Sequence, residues 1–331
     1  MSAYFPDESA ATAEASRYPV RQILADELIL LRKNFLQTTY FDLSREGANT
    51  RGANGIFWVQ KLIENPDGSV VIANLPEGGR LRVSTTQSAV EAALLYPLLR
   101  GQETSRWNNN PQNWIIVPHD PRRPGVAIAE TQMQVEYPKT YHFLCEFKDE
   151  LRGRSAFRNF NPAAGEFYPL YNVGAYTFAP FKVVWREQMS SLTCAVVGQK
   201  EGKPIVPNHK LMLVPFNNEV EAHFLCACMN SSPANFVVKS YSIEVQISTH
   251  VLRYVNVPQF DPSNPIHIQL ADLSQQAHAA TARGDVERVR EVEAEIDRLA
   301  KSLWGLTDDE LREIQESLAE LGSSLTPEIA E

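Results

Sequence analysis

The hydrophobic pattern of the chain changes near residue 264, and this change limits the folds that the sequence can adopt. Before it, short segments rich in β-branched and aromatic residues alternate with turn residues, which is typical of β-strands. After it, apolar side chains recur at steps of three and four residues, which is typical of amphipathic helices. The sequence therefore predicts an α+β protein, with a mixed β-rich body and inserted helices followed by a C-terminal helical tail.

Within the body, the clearest strand signal is a hairpin in which residues 55–63 and 69–75 flank a Pro-Asp-Gly turn. Further strands are predicted at 80–84, at 114–119, across much of 155–210, at 234–247 and at 251–257. Helices are predicted at 18–35, at 88–99, from about residue 139 to 154 and at 219–230.

The tail carries its own start signals. A helix at 265–281 is followed by the break Ala-Arg-Gly-Asp, in which Asp285 is predicted to cap the next helix. An apolar stripe of heptad type then runs from Val289 to Leu306. Thr307 and Glu310 form a capping box, which predicts the start of a last helix.

A length of 331 residues favours two domains, or one large domain with an extension. The pattern divides the chain into three parts: a leader with a short helix at 1–44, a body at 45–260 and a helical tail at 261–331. The tail is predicted to form either a helical hairpin or a pair of helices that dock a partner.

The formal net charge of −9 is concentrated at the two ends of the chain. Residues 281–331 hold 14 acidic and 6 basic side chains, and residues 1–30 hold 5 acidic and 2 basic ones. The 250 residues between them keep 21 acidic and 23 basic groups, a net of +2. The overall acidity therefore does not exclude a nucleic-acid partner for the body.

The sequence predicts a cytoplasmic protein. Four cysteines in 331 residues are too few for a disulfide framework, so we expect a reduced protein. The N-terminal residues lack the basic start and apolar core of a signal peptide. No apolar run approaches the roughly 18 residues that a membrane span needs, so we expect no membrane partner.

Catalytic signatures are missing from the sequence. It contains no dinucleotide-binding or phosphate-loop glycine pattern and no nucleophile elbow. An amino-methyltransferase needs an Asn/Asp-Pro-Pro-aromatic tetrad beside a flipped base, but Asn161 and Asn264 are each followed by one proline alone. The sequence therefore predicts no catalytic residue and no S-adenosylmethionine site in this chain.

Two local patterns imitate functional sites, and a structural role fits each of them better. His223, Cys226 and Cys228 fall within an apolar helical segment, where cysteine is normally a buried residue. Asp120 with Glu146 and Lys148 imitates a nuclease centre, but the latter pair lies in a stretch with helical spacing rather than on a strand. We therefore expect neither a metal site nor a nuclease centre.

Basic, amide and aromatic side chains gather in the loop-rich parts of the body, where they could contact DNA. Arginine and lysine neutralise phosphates, Arg, Asn and Gln read base edges, and aromatic rings stack on exposed bases. The candidate DNA-binding residues are Arg106, Trp107, Lys139, Tyr141, Arg152, Arg154, Arg158, Asn172, Tyr176, Lys182, Arg186, His209, Lys210, Gln246, Ser248, Thr249 and His250.

An ordered set of segments across about residues 45–320 resembles a known family. The sequence is similar to the C-terminal target-recognition region of large adenine-specific DNA methyltransferases of restriction–modification systems, akin to the TaqI-like specificity domain of type IIG enzymes. The segments that carry the resemblance are GANGIFWVQKL (52–62), ALLYPLLRGQETSRW (93–107), YPKTYHFLCEFKDELRGRSAFR (137–158), FYPLYNVGAYTFAPFKVVWRE (167–187), PNHKLMLVPF (207–216), CACMNSSPANFVVKSYSIEVQISTHVLRYVNVPQFDP (226–262) and EIDRLAKSLWGLTDDELREI (295–314).

The resemblance implies a DNA-reading module at 45–260 whose partners are double-stranded DNA and a methyltransferase or nuclease subunit. In the family, a separate N-terminal domain binds S-adenosylmethionine and methylates N6 of a flipped adenine. That domain is missing here, so the cofactor is expected only on a partner. Two other readings stay open: a portion of a DNA adenine methyltransferase that is active only with a separate catalytic domain, and a scaffold protein without a nucleic-acid role.

Overall fold

The computed structural model describes residues 40–154, 165–187, 191–241, 248–253 and 255–323. The chain divides into two compact units. The mixed unit contains the described residues from 43 to 187 and from 193 to 222, and the helical unit contains residues 40–42, 191–192 and the described residues from 223 to 323. The α+β class is confirmed, whereas the three predicted domain boundaries stay predictions.

The larger sheet of the mixed unit has six strands in the order β13–β5–β8–β2–β3–β4. Its neighbours pair antiparallel, except that β13 runs parallel to β5. The strands are β2 (Trp58–Glu64), β3 (Ser69–Asn74), β4 (Gln87–Glu91), β5 (Leu95–Leu99), β8 (Asn113–Ile116) and β13 (Val206–Pro207).

A second, four-stranded antiparallel sheet has the order β1–β14–β9–β10. Its strands are β1 (Arg45–Glu46), β9 (Phe181–Arg186), β10 (Cys194–Val197) and β14 (Leu211–Phe216). Two short ribbons are formed by β6 (Thr104–Ser105) with β7 (Asn108–Asn109) and by β11 (Gln199–Lys200) with β12 (Lys203–Pro204).

Four helices of the mixed unit contribute side chains to its apolar core. They are α1 (Asn54–Phe57), α2 (Glu130–Glu136), α3 (Pro138–Cys145) and α4 (Lys148–Gly153). Met133, Phe143, Leu144 and Leu151 from these helices pack into the same buried cluster as the six-stranded sheet. Burial of this apolar surface is the main favourable contribution to folding.

The predicted hairpin is confirmed, because β2 and β3 pair across the Pro-Asp-Gly turn. Its first strand begins later than expected, since residues 54–57 form the short helix α1. The strand predicted at 114–119 is β8, and the helix predicted from about residue 139 is α3 followed by α4. The helix predicted at 18–35 lies outside the described residues.

Other predictions in the body are wrong. Residues 88–99 are not a helix, because they contain β4, a 3-10 turn at Ala92–Leu94 and β5. All five residues of β5 are buried, so the strand shows no alternation of polar and apolar side chains. No strand forms at 80–84, and residues 167–180 contain a β-bridge and a 3-10 helix at Ala175–Phe178 rather than a strand.

The helical unit carries most of α5 (Glu219–Asn230) together with the four helices that follow. These are α6 (Ser232–Tyr241), α7 (Pro265–Ala282), α8 (Val286–Trp304) and α9 (Asp308–Ser323). The predicted caps are confirmed: the Asp285 side chain accepts a hydrogen bond from Arg288 N, and Thr307 and Glu310 bond reciprocally. Docking of a partner by these helices stays a prediction.

The strand predictions at 234–247 and 251–257 are wrong for the described residues. Residues 234–241 belong to α6, and Thr249–Arg253 forms a 3-10 helix. The N-terminus of α6 is held by Asp297 of α8, which accepts hydrogen bonds from Ser232 N at 2.7 Å and Ser232 Oγ at 2.6 Å. A tertiary contact therefore overrides the strand propensity of Phe236, Val237 and Val238. None of the helices described in the structure is long and apolar enough to cross a membrane.

One buried histidine fastens two loops of the mixed unit to each other. His119 is 1% exposed, its Nδ1 lies 2.9 Å from Pro124 O, and Leu170 N donates to its Nε2 at 3.1 Å. Because Nε2 accepts, Nδ1 carries the proton and donates to Pro124 O, so the ring is neutral. Burial accordingly lowers the pKa of His119 to about 4.

We expect His119 to make the mixed unit sensitive to acid. Below pH 6.5 the unfolded chain binds a proton that the folded histidine rejects, so stability falls by about 1.4 kcal/mol per pH unit down to about pH 4. Urea unfolding at pH 7 and pH 5 should show a larger loss for the native chain than for His119→Gln, by about 2 kcal/mol. An equal loss in both proteins would contradict this assignment, since the other titrating groups are common to both.

Candidate nucleic-acid interface

Two glycine-rich turns, one containing Gly52 and Gly55 and the other containing Gly79, pack closely against each other at the start of β2. A Cβ atom on Gly79 would lie 2.7 Å from Gly55 N, and one on Gly55 would lie 3.0 Å from Pro76 O, so neither position accepts a side chain without a shift. Arg80 N donates to Gly52 O at 3.0 Å, which fixes the turns in register. Arg80 Cβ lies 3.6 Å from where a Cβ on Gly52 would stand, so the interlock brings Arg80 beside Arg51 and Gly52.

A third loop, residues 207–210, packs against the segment that leads into these turns. Gly47 N donates to Leu211 O and Ala48 N donates to Pro207 O, both at 2.9 Å. The loop thereby carries His209 and Lys210 towards the two arginines. The pKa of His209 is lowered by burial first and then by the positive charges of Lys210, Arg51 and Arg80. These four side chains are called the basic cluster below.

A fourth segment, residues 171–176, borders the basic cluster. Asn49 and Tyr171 exchange backbone hydrogen bonds of 2.8 and 2.9 Å. The Arg51 guanidinium carbon lies 5.5 Å from the centroid of the Tyr171 ring, within the range of a cation–π contact. Next along the chain, Asn172 lies near Glu46, whose pKa is raised by burial although Arg51 opposes the shift.

The end of β9 and the start of β14 also belong to this surface. Leu211 pairs with Arg186 between β14 and β9, and Arg186 Nε donates to Gly101 O. Glu187 follows β9, and its carboxylate lies 3.8 Å from Lys210 Nζ. Thus five of the predicted contact residues are brought to one region of the mixed unit, namely Asn172, Tyr176, Arg186, His209 and Lys210.

The region also contains three arginines that the sequence reasoning missed. Arg45 lies on β1, and its guanidinium carbon is 5.9 Å from the Tyr176 ring centroid. Arg51 and Arg80 belong to the interlocked turns and are exposed. In the part of the chain that the structure describes, neither Arg51 nor Arg80 has a carboxylate oxygen within 4.0 Å of its side-chain nitrogens.

The backbone of the region adopts conformations that side chains rarely favour. Arg51 has φ 53° and Asn172 has φ 53°, both in the left-handed region. Asparagine tolerates this region, but for arginine it costs roughly 1–2 kcal/mol. Of the four non-glycine residues with positive φ among the described residues, these two lie in this region, whereas Trp107 and Glu201 lie in other turns of the mixed unit.

Two polar atoms beside the basic cluster lack a hydrogen-bond partner among the described residues. They are Tyr171 Oη and His209 Nδ1, both buried, and the other such atom is Trp58 Nε1. An unpaired buried polar atom costs about 1–3 kcal/mol, and each one in a folded protein calls for an explanation. The Tyr171 ring lies under the Arg51 guanidinium, and the positive charge of Arg51 lowers the pKa of His209.

The structure places other predicted contact residues away from the basic cluster. Lys139 Nζ binds Asp67 at 2.5 Å, and Tyr141 Oη donates to Glu130 at 2.6 Å, which raises the pKa of Tyr141 to about 12. Arg106 stacks on Trp107 at 5.6 Å in the turn between β6 and β7, and Trp107 is 2% exposed. Arg152 is exposed at the end of α4.

Two predicted contact residues are buried cations with structural partners. Arg154 is 2% exposed, and burial lowers its pKa to about 10. Lys182 has no exposed surface, and its Nζ donates to Ala179 O at 2.7 Å. Burial lowers the pKa of Lys182 to about 7. Neither side chain reaches the surface in this structure.

The remaining predicted contact residues are not part of the mixed unit as described. Ser248, Thr249 and the backbone of His250 lie at the 3-10 helix of the helical unit. Arg158 and Gln246 lie outside the described residues.

The two patterns that imitate functional sites lie in helical parts of the chain. Glu146 and Lys148 lie at the junction of α3 and α4, and Cys226 and Cys228 are buried in α5. No group of three or more His, Cys, Asp or Glu side chains that could hold a metal ion occurs within the described ranges.

Comparison with known proteins shows a similarity of fold to a solved structure. No protein-family model matches the chain, and no curated protein matches its sequence. Among solved structures, the fold is similar to that of the type IIL restriction–modification enzyme MmeI in complex with DNA, with a TM-score of 0.53 and 10% sequence identity. The similarity covers 85% of this chain but 35% of that enzyme. It therefore shows a shared fold, and the chain spans about a third of the length of its neighbour.

Proposed function

We propose that this chain is the DNA target-recognition module of a restriction–modification system and that the mixed unit binds the duplex. The observation that carries the proposal is the fold, which matches over most of this chain a part of an enzyme solved in complex with DNA. At 10% identity the fold alone does not transfer a function. The chemistry of the candidate interface supplies the second support.

The interface combines the groups that DNA recognition needs. Arg51, Arg80 and Lys210 are exposed cations that can neutralise backbone phosphates. Asn172 has an amide of the kind that reads adenine, and Tyr176, which packs in part against the core beside the four-stranded sheet, has an aromatic ring in the same region. Because loops and strand ends hold these side chains on a sheet scaffold, the target sequence can vary while the fold persists.

We propose that methyl transfer belongs to a separate catalytic domain or subunit. The chain spans about a third of its neighbour's length, and the resemblance to type IIG adenine methyltransferases implies that the S-adenosylmethionine site lies in the portion that has no counterpart here. This chain would supply specificity for that partner, in the cytoplasm, and would not turn over substrate alone.

Selection from a random duplex pool tests this function. The full chain, alone and together with a candidate catalytic partner, should retain duplexes that share a short motif, and their affinity should fall as salt rises. Binding to the enriched duplex should exceed binding to its scrambled version by about a thousandfold or more for a complete recognition module. Equally weak binding to all duplexes, even with the partner present, would exclude the proposal. Methyl transfer by this chain alone would also contradict it.

A further inference from the structure

We infer that Arg51 and Arg80, assisted by His209 and Tyr171, form a site for one phosphate group of the nucleic-acid backbone. This inference rests on the proposed function for the source of the phosphate, but not for the chemistry of the site. It assigns Arg51 and Arg80 a sequence-independent role and leaves base reading to other residues of the interface.

The first argument is the imbalance of charge. Several exposed cations of the chain have a carboxylate partner, such as Arg122 with Asp120 at 3.0 Å and Arg288 with Glu291 at 2.8 Å. Arg51 and Arg80 have none within 4.0 Å among the described residues. They lie close enough to His209 for their charges, with that of Lys210, to oppose its protonation. Like charges held together in this way are stabilised by an anion.

The second argument is that the two arginines are anchored by their backbones. The contact of Gly79 with Gly55 and the bond from Arg80 N to Gly52 O connect the turns that carry them. Arg51 N also donates to the Asn49 side chain at 2.8 Å, which holds the left-handed conformation of Arg51. A site built on fixed backbone loses less conformational entropy when it binds its ligand.

The third argument is the unpaired polar atoms. Tyr171 Oη has no acceptor among the described residues, although its ring lies under the Arg51 guanidinium. His209 is neutral at pH 7, because burial and its cationic neighbours lower its pKa, so the ring keeps one N–H donor. A phosphate bound by Arg51 and Arg80 would offer several acceptor oxygens to the Tyr171 hydroxyl and, in the tautomer protonated at Nδ1, to His209. The edge of a base offers fewer acceptors than a phosphate does, so it would pair with fewer of these donors.

Phosphate binding and base reading by these arginines predict different effects of the same substitutions on DNA affinity. Arg51→Gln and Arg80→Gln should each weaken binding about equally on the enriched duplex and on its scrambled version, by about three- to tenfold. Each should also reduce the slope of log affinity against log salt by about 1. Arg123→Gln, which removes an exposed arginine of the same unit, is the matched control and should change neither quantity. Arg51→Lys should recover part of the loss, since it restores the charge.

Inorganic phosphate provides a second readout that does not depend on DNA. Titration of phosphate into the full chain should shift the ring resonances of His209, and the shift should disappear in the double variant Arg51→Gln/Arg80→Gln but persist in Arg123→Gln. Thermal unfolding of each variant confirms that it is folded. If DNA binds but the double variant keeps the native salt slope, the inference is wrong and the proposed function stands. Loss of affinity for the enriched duplex alone would assign base reading and would overturn it. If no duplex binds but phosphate shifts His209 through Arg51 and Arg80, the site stands without the proposed function.

Discussion

Replacing Arg154 with leucine should lower the free energy of unfolding of the mixed unit by about 4 kcal/mol, a loss typical of breaking a buried polar network. The guanidinium donates to four backbone carbonyls, those of Leu151 at 3.0 Å, Thr50 at 3.2 Å, Pro169 at 2.9 Å and Phe167 at 2.9 Å. Leucine would remove the shared donor from all four acceptors, of which Thr50 O retains the hydrogen bond from Ala53 N at 3.3 Å. Each carbonyl that finds no substitute contributes about 1–3 kcal/mol to the loss.

Tryptophan fluorescence during urea unfolding can follow this unit, because Trp58, Trp107, Trp114 and Trp185 all lie in it. Arg154→Lys keeps a positive charge but cannot span four carbonyls, so it should lose nearly as much stability as Arg154→Leu. Arg152→Leu, two residues earlier and exposed, should stay within about 0.5 kcal/mol of the native chain. A loss below about 1 kcal/mol for both Arg154 variants would show that the network does not hold the unit together.

Replacing Asp297 with alanine should destabilise the helical unit by about 3 kcal/mol, through loss of a helix cap and of a buried acceptor. Asp297 is 7% exposed and joins three helices. From α8 it accepts two hydrogen bonds from Ser232 at the start of α6, and Gln315 of α9 donates to its Oδ2 at 2.8 Å. Alanine would remove the acceptor for all three donors at once.

Hydrogen exchange of the backbone amides in residues 232–241 reports this change directly, since α6 should fray first. Asp297→Asn retains one acceptor oxygen and should lose about half as much stability as alanine, because its amide group faces donors. Asp272→Ala removes an exposed carboxylate from α7 and serves as the control, with little change expected. Unchanged protection of α6 in Asp297→Ala would refute the role of this carboxylate as a cap.

The sequence predicted those elements whose signals are local. The tail helices carry their caps in the neighbouring residues, as Asp285 does for α8, and their apolar stripes are long enough to distinguish helix from strand. The β2–β3 hairpin was predicted because its turn residues and its strands are adjacent. In these places propensity, pattern and capping agree, so tertiary contacts change little.

The failures occur where a distant contact decides the structure. Residues 88–99 contain many helix formers, but β5 lies between β13 and β8 and is buried on both faces, so its apolar run cannot be told from a buried helix. Residues 234–241 have the composition of a strand, but the cap from Asp297 is 65 positions away from Ser232. No window of sequence around α6 contains that information.

The candidate interface was predictable in part for the same reason. Residues such as Asn172, His209 and Lys210 attract notice because they are polar residues beside strands and turns. Arg51 and Arg80 were missed because each lies next to glycines that read simply as turns. Their proximity depends on the close approach of Gly79 to Gly55, which only the folded backbone reveals. Lys182 and Arg154 were predicted to contact DNA because they are basic, and their burial cannot be read from their charge.

The pairing of β1 with β14 has a consequence for synthesis of the protein on the ribosome. Arg45 pairs with Leu213, and β13 completes the other sheet beside β5, so both sheets need strands made late in the chain. Contacts of such high sequence separation form slowly, because loop closure costs entropy before any pairing compensates it. The first five strands of the larger sheet therefore leave the exit tunnel before β13. The outer edge of β5 stays unpaired until residue 207 has also emerged. We expect the nascent chain to require chaperone protection over this interval, and the two turns that carry Arg51 and Arg80 to form long before the loop that carries His209.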